Sequence, residues 1–93
     1  MNSDQQFEWD ENKRLSNIRK HGLDFIDAVL VFGEQFVTWR SLGHEEERWV
    51  AVAVLRGLEI AVVYTMRADV VRIISARRAR TNEREKYYAR YPE

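Results

Sequence analysis

The spacing of apolar positions changes once along this chain, from helical to strand-like, and the change sorts it into elements. Phe7-Glu8-Trp9 alternates apolar and polar residues, which predicts a short strand. Asp10 stands where a helix N-cap belongs, with Glu11 in the first turn. A helix is expected from Glu11 to His21, burying Leu15 and Ile18 and stopping at Gly22. Asp24 caps a second helix in which Phe25, Ala28, Val29 and Phe32 follow the i, i+3, i+4, i+7 spacing, and Gly33 ends it. The period then shortens to two. Phe36–Trp39, Arg48–Leu55, Leu58–Met66 and Val70–Ala76 are rich in β-branched and aromatic residues and read as strands. Arg56-Gly57 reads as a tight hairpin turn, Met66–Asp69 as a slightly longer one, and Ser41–Glu47 as a polar loop. A last helix is expected over Thr81–Tyr91, with Thr81 as its N-cap. The order β-α-α-β-β-β-β-α predicts an α+β domain with helices packed on a mostly antiparallel sheet.

Length and composition narrow the class. Ninety-three residues suit one domain, 1–93, with residues 1–6 expected as a disordered tail. No cysteine is present, which excludes disulfides and thiolate metal sites and favours an intracellular protein. The apolar runs are too short to span a bilayer, and Met-Asn-Ser-Asp-Gln-Gln has no signal-peptide pattern, so the cytoplasm is expected. The formal net charge is zero, but its halves differ. Residues 1–55 carry six cations against ten acids, while residues 56–93 carry nine cations against five. Twelve of the fifteen cations are arginine, which suits phosphate recognition by a local field. The alternative is that these arginines pair with carboxylates as surface bridges.

Three groups of residues carry candidate chemistry. On the first helix Lys13, Asn17 and His21 recur at i, i+4, i+8 with Lys20 alongside, so one polar face holds an imidazole for proton transfer. A Lys-His-Gly helix end is also ordinary dipole chemistry. Arg67, in the turn between two strands, and Arg72, on the return strand, are placed to form a paired-guanidinium cradle for phosphate, unless Asp69 or Glu59 neutralises them. On the last helix Glu83 and Tyr87 lie at i, i+4. Tyr87, beside Arg80 and Arg84, is placed to stack on a base, whereas Tyr88 and Tyr91 read as core. His44-x-Glu46 is a weak metal spacing with no second histidine cluster, and no metal or cofactor is expected. No Gly-rich phosphate loop or Gly-x-Ser-x-Gly elbow occurs.

The ordered set Phe7-Glu-Trp-Asp10, Lys13, Asn17, Lys20-His21-Gly22, His44-x-Glu46-x-Arg48-Trp49, Val63-Tyr64-Thr65-x-Arg67, Arg72-Ile-Ile-Ser-Ala-Arg77 and Glu83-Arg84-x-x-Tyr87 resembles the BrnT family of type II toxin–antitoxin ribonucleases. The resemblance covers Phe7 to about Tyr88; Met66-Arg-Ala-Asp69 lacks the glycine often found in that turn. It implies a RelE-like fold and RNA cleavage without a metal. It also implies neutralisation by a BrnA-like ribbon-helix-helix antitoxin, through which the complex would bind DNA and repress its own operon as a hetero-oligomer. Metal-free cleavage requires the 2′-hydroxyl to lose a proton, the phosphorane charge to be stabilised and the 5′-oxygen to gain a proton. On that scheme Arg67, Arg72 and Arg77 would hold phosphate and His21 or Glu83 would serve as base. Lys20, Arg80, Arg84 and Tyr87 would position substrate. Arg72→Ala and Arg77→Ala are expected to abolish activity while sparing the fold. The antitoxin is expected to be acidic where it meets residues 67–90. A non-catalytic RNA- or protein-binding module is the alternative.

Overall fold

In a computed structural model, which describes residues 4–93, five strands form one mixed sheet in the order β1-β5-β4-β3-β2. The strands are β1 (Gln6–Glu8), β2 (Val37–Ser41), β3 (Arg48–Leu55), β4 (Leu58–Arg67) and β5 (Val70–Arg78). Three consecutive antiparallel pairings join β2 through β5, and β1 lies parallel to β5 at the far edge. The α+β expectation with a mostly antiparallel sheet is met. Residues 1–3 of the expected tail lie outside the described residues; Gln6 already belongs to β1, and the Gln5 side chain donates to the Asp69 carbonyl.

Helix α1 (Glu11–His21) begins and ends where its caps require. The Asp10 carboxylate accepts the Lys13 N–H at 3.0 Å, and Gly22 takes φ 68°, its N–H donating to the Ile18 carbonyl. Its buried residue is not the expected Leu15, which is 41% exposed, but Asn17. Asp24 caps α2 (Phe25–Ala28), which winds tighter into a 3-10 turn over Val29–Gly33 instead of continuing as α-helix. The β-branched pair Val29 and Val31 favours α-winding weakly, and the turn buries Val31 and Phe32 together against the sheet. Phe32 meets Phe7, Phe36 and Tyr64 at ring-centroid distances of 5.1–5.5 Å.

Alternation along the strands divides the core between two faces. Ala51, Ala53, Ile60, Val62, Tyr64, Val71 and Ile73 pack with α2 and the 3-10 turn on one face. Val50, Val52 and Ala61 pack on the other with Tyr87 of α3 (Thr81–Arg90). Arg80, not Thr81, is the N-cap residue of α3, because the Glu83 carboxylate reaches back to accept the Arg80 N–H at 2.8 Å. Helix α3 lies over the β2–β3 side of its face. The stretch of that face around Glu8, Arg67 and Arg72 is not covered by α3.

Candidate active cleft and nucleic-acid interface

The open side is polar by register. Thr65 pairs with Arg72, and Arg72 with Glu8, so these three side chains stand in a row on the face that α3 covers elsewhere. Trp49 pairs with Tyr64, so one further step of the β3–β4 register sets Arg48 opposite Thr65 at the end of that row. Arg72 Nη1 donates to Glu8 Oε2 at 2.7 Å, and Arg67 Nη1 lies 3.9 Å from the same oxygen. The two arginines do converge, as the hairpin reading expected. Their carboxylate is Glu8, however, rather than Asp69 or Glu59.

Strand β1 ends at Glu8, leaving the second half of β5 without a strand neighbour on that edge. Helix α1 fills the vacancy. The Asn17 side chain, 5% exposed, accepts the Ala76 N–H at 3.1 Å and donates to the Ala76 and Leu23 carbonyls at 2.8 and 2.9 Å. One amide thus substitutes for a strand partner and fixes α1 along the sheet edge. Just before Ala76 the β4–β5 register slips between Val63 and Tyr64, and Ile74 is the extra residue of the bulge.

Between α1 and this bulge lies a cleft of ≈ 280 Å³. Lys13, Ser16, Asn17, Lys20 and His21 line one side, and Ile74, Ser75 and Arg48 the other. Three cations and an imidazole converge with no carboxylate on the walls. Among the described residues, no ion pair joins Lys13, Lys20 or His21, and Arg48 Nε lies 3.4 Å from Glu46 Oε1. Lys20 and His21 therefore fall where the helical spacing put them, beside a basic wall. Arg48 was missed: its strand was legible, but only the β3–β4–β5 register brings it to α1.

The other expected site residues are employed differently. Arg77 Nη1 and Nη2 grip Glu83 Oε1 and Oε2 at 2.7 and 2.9 Å, with side chains only 16% and 6% exposed. Burial alone would raise the Glu83 pKa. The bonds from Arg77 and the Arg80 N–H, with both positive charges, outweigh it and hold the carboxyl below its usual value. The two residues expected to act on substrate are thus joined to each other, and a carboxylate holding these donors is a weak proton acceptor. Arg84 donates to the Ala79 carbonyl at 2.6 Å and to Thr81, and Arg80 supplies the cap N–H; both brace the start of α3. Tyr87 is 4% exposed between Tyr88 and Tyr91 and bonds to Gln35, so it joins the core against which Tyr88 and Tyr91 pack, and its ring is not open for stacking. The Tyr88 hydroxyl donates to Glu59, which also meets Arg78 at 3.8 Å, so its phenol is pushed up to about 12. Much of the C-terminal arginine excess is thus consumed by pairing.

Comparison with known proteins adds what geometry leaves open. The family model described as "Ribonuclease toxin, BrnT, of type II toxin-antitoxin system" matches residues 9–83. A 1.1 Å crystal structure of the Brucella abortus ribonuclease toxin BrnT superposes with a TM-score of 0.63 at 30% identity, covering 83% of this chain and 99% of that one. No curated protein matches. No helix among the described residues is long and apolar enough to cross a membrane.

Proposed function

The chain belongs to the BrnT family of ribonuclease toxins of type II toxin–antitoxin systems, and from that premise we propose that it is a metal-independent endoribonuclease acting in the α1–β5 cleft. The observation that carries this reading is the cleft wall: Lys13, Lys20 and Arg48 beside His21, with no carboxylate among the lining residues. Three fixed cations suit a phosphodiester and a phosphorane in the making. A divalent ion would find one imidazole and no anionic oxygen there, which is a poor donor set. Lys13, Lys20 and Arg48 hold the scissile phosphate and His21 transfers a proton, while Arg72 and Arg67 extend the phosphate track over the open sheet. Arg77 and Glu83 support the end of β5 from the part of the same face that α3 covers.

The cognate antitoxin, a BrnA-like protein in this reading, blocks the same cleft with acidic groups and carries the complex to its operator in the cytoplasm. Its acidic contact then belongs at residues 13–21, 48, 67 and 72 rather than at Arg77 and Arg78, which Glu83 and Glu59 already meet. The test is cleavage of end-labelled RNA by the purified chain in excess chelator. Products ending in a 2′,3′-cyclic phosphate are expected, with loss of cleavage in Lys20→Ala and His21→Ala variants that melt like wild type. A strict divalent requirement, or full activity in both variants, refutes the proposal. RNA binding without cleavage would make the chain a binding module.

A further inference from the structure

Metal-free cleavage uses a general base and a general acid, and with Glu83 locked to Arg77 the cleft walls carry no carboxylate to serve as base. We infer that Glu8 is that group, the general base that takes the 2′-hydroxyl proton, leaving His21 as the general acid; this rests on the cleft reading above. Glu8 is the last residue of β1, and its register partner Arg72 places its side chain on the open face, in the row that Thr65 and Arg48 continue. Ser75, in the cleft wall, faces Val63 while Arg72 faces Thr65, so the bulge at Ile74 leaves them two residues of β4 apart, roughly 7 Å at about 3.4 Å per residue. A phosphate seated midway between those two positions is about 3–4 Å along the strand from each, within side-chain reach of both.

The carboxylate itself is differently placed from its rivals. Asp10 and Asp24 cap helices, Glu59 holds Tyr88, and both oxygens of Glu83 are occupied in a nearly closed site. Glu8 meets Arg72 and Arg67 through Oε2 alone, Oε1 carries no hydrogen bond among the described residues, and the side chain is 37% exposed. An accessible lone pair flanked by two guanidinium groups puts base and phosphate clamps on the same atoms' doorstep. In the reaction Glu8 Oε1 accepts the 2′-OH proton, the 2′-oxygen forms a bond to phosphorus, and the P–O5′ bond breaks. The departing 5′-oxygen takes the His21 proton, giving a 2′,3′-cyclic phosphate and a 5′-hydroxyl.

Leaving-group chemistry separates the two roles. The full-length chain and its Glu8→Gln and His21→Gln variants are assayed on RNA and on nucleoside 3′-(4-nitrophenyl phosphates) of all four bases, whose leaving group needs no acid. Glu8→Gln is expected to lower kcat by about 10²–10⁴-fold on both substrates. His21→Gln is expected to be impaired on RNA and largely restored on the nitrophenyl esters. Glu8→Asp, which keeps the charge beside Arg72 but withdraws it by one methylene, should fold as wild type and lose at least about tenfold in kcat with KM little changed. Wild-type kcat in a folded Glu8→Gln or Glu8→Asp variant overturns the assignment, as does a Glu8→Gln defect confined to RNA. If Lys20→Ala abolishes cleavage while Glu8→Gln does not, the cleft reading stands and only the base is wrong. If neither variant matters, the cleft reading falls with it.

Discussion

Replacing Arg77 should cost the protein its stability before it costs it any chemistry. Arg77→Met keeps most of the side-chain volume but leaves the Glu83 carboxylate, 6% exposed, without its bidentate partner. Breaking a buried pair by removing one member costs about 3–5 kcal/mol. Glu83 still accepts the Arg80 N–H at 2.8 Å, which places the loss near the lower end, about 3 kcal/mol. In a domain of this size about 1 kcal/mol moves Tm by about 4–8 °C, so a fall of about 12–24 °C is expected by circular dichroism. The double variant Arg77→Met/Glu83→Gln removes both charges and keeps an acceptor for the cap, and should recover at least about 1 kcal/mol of the loss. Acid supplies an independent check. The folded-state pKa of Glu83 is depressed, so its contribution is complete above the ordinary glutamate value, about 4.3, and disappears as pH falls through the lower folded value. The stability gap between wild type and Glu83→Gln should therefore close below about pH 4. An Arg77→Met variant that melts within about 4 °C of wild type yet no longer cuts RNA would refute the structural role and return Arg77 to the substrate.

Asn17→Ala should destabilise the chain by about 2–4 kcal/mol in urea titration, because it strands both peptide groups of Ala76 at a buried edge; Asn17→Asp should recover the acceptor for the N–H but not the donors. Ala68 takes φ 53° in the turn between β4 and β5, where glycine is favoured, so Ala68→Gly should raise stability by about 0.5–1 kcal/mol and unchanged or lower Tm would contradict that. Ultraviolet titration should show one tyrosine ionising near the upper end, about 12, and Tyr88→Phe should remove it. Because the folded value is raised, the Tyr88–Glu59 contact supports the fold fully below the ordinary tyrosine range and is lost as pH rises through the folded value.

What was legible in the sequence is what local chemistry decides. Asp10, Gly22 and Asp24 mark helix ends through bonds to residues two to four positions away, so α1 matches its expected span from Glu11 to His21. Arg56 and Gly57 both take positive φ, 50° and 81°, in the two-residue turn their pairing predicted. Strand β3 also runs from Arg48 to Leu55 as its alternation required. Legibility fails where the partner is distant in sequence. Asn17 and Ala76 are 59 positions apart, and nothing near Asn17 announces a strand edge beyond the helix. A buried asparagine is instead read as polar surface, and Leu15 takes its place in the expected core. Arg48 fails the same way, since its route to the cleft crosses two strand pairings.

The arginines of this chain show why counting charge by halves does not tell which of them stay open. An arginine in a strand is informative only once its neighbours are known, and the neighbours here divide the set. Arg77 alternates onto the α3 face, where a helix covers it and a carboxylate must follow it into burial. Arg72 alternates onto the same face five residues earlier, where α3 does not reach, and its partner Glu8 remains open to solvent on one oxygen. The difference between a covered and an open arginine is thus set by where α3 ends rather than by either residue. The cations left for substrate lie on α1 and at the start of β3, in the half of the chain that is net acidic. Most acids of that half serve in helix caps and in pairs such as Asp24 with Arg14, while Glu46 meets Arg48 at 3.4 Å and leaves Lys13, Lys20 and His21 without an ion pair among the described residues. Field follows the distribution of unpaired groups on a surface, and that distribution belongs to the fold.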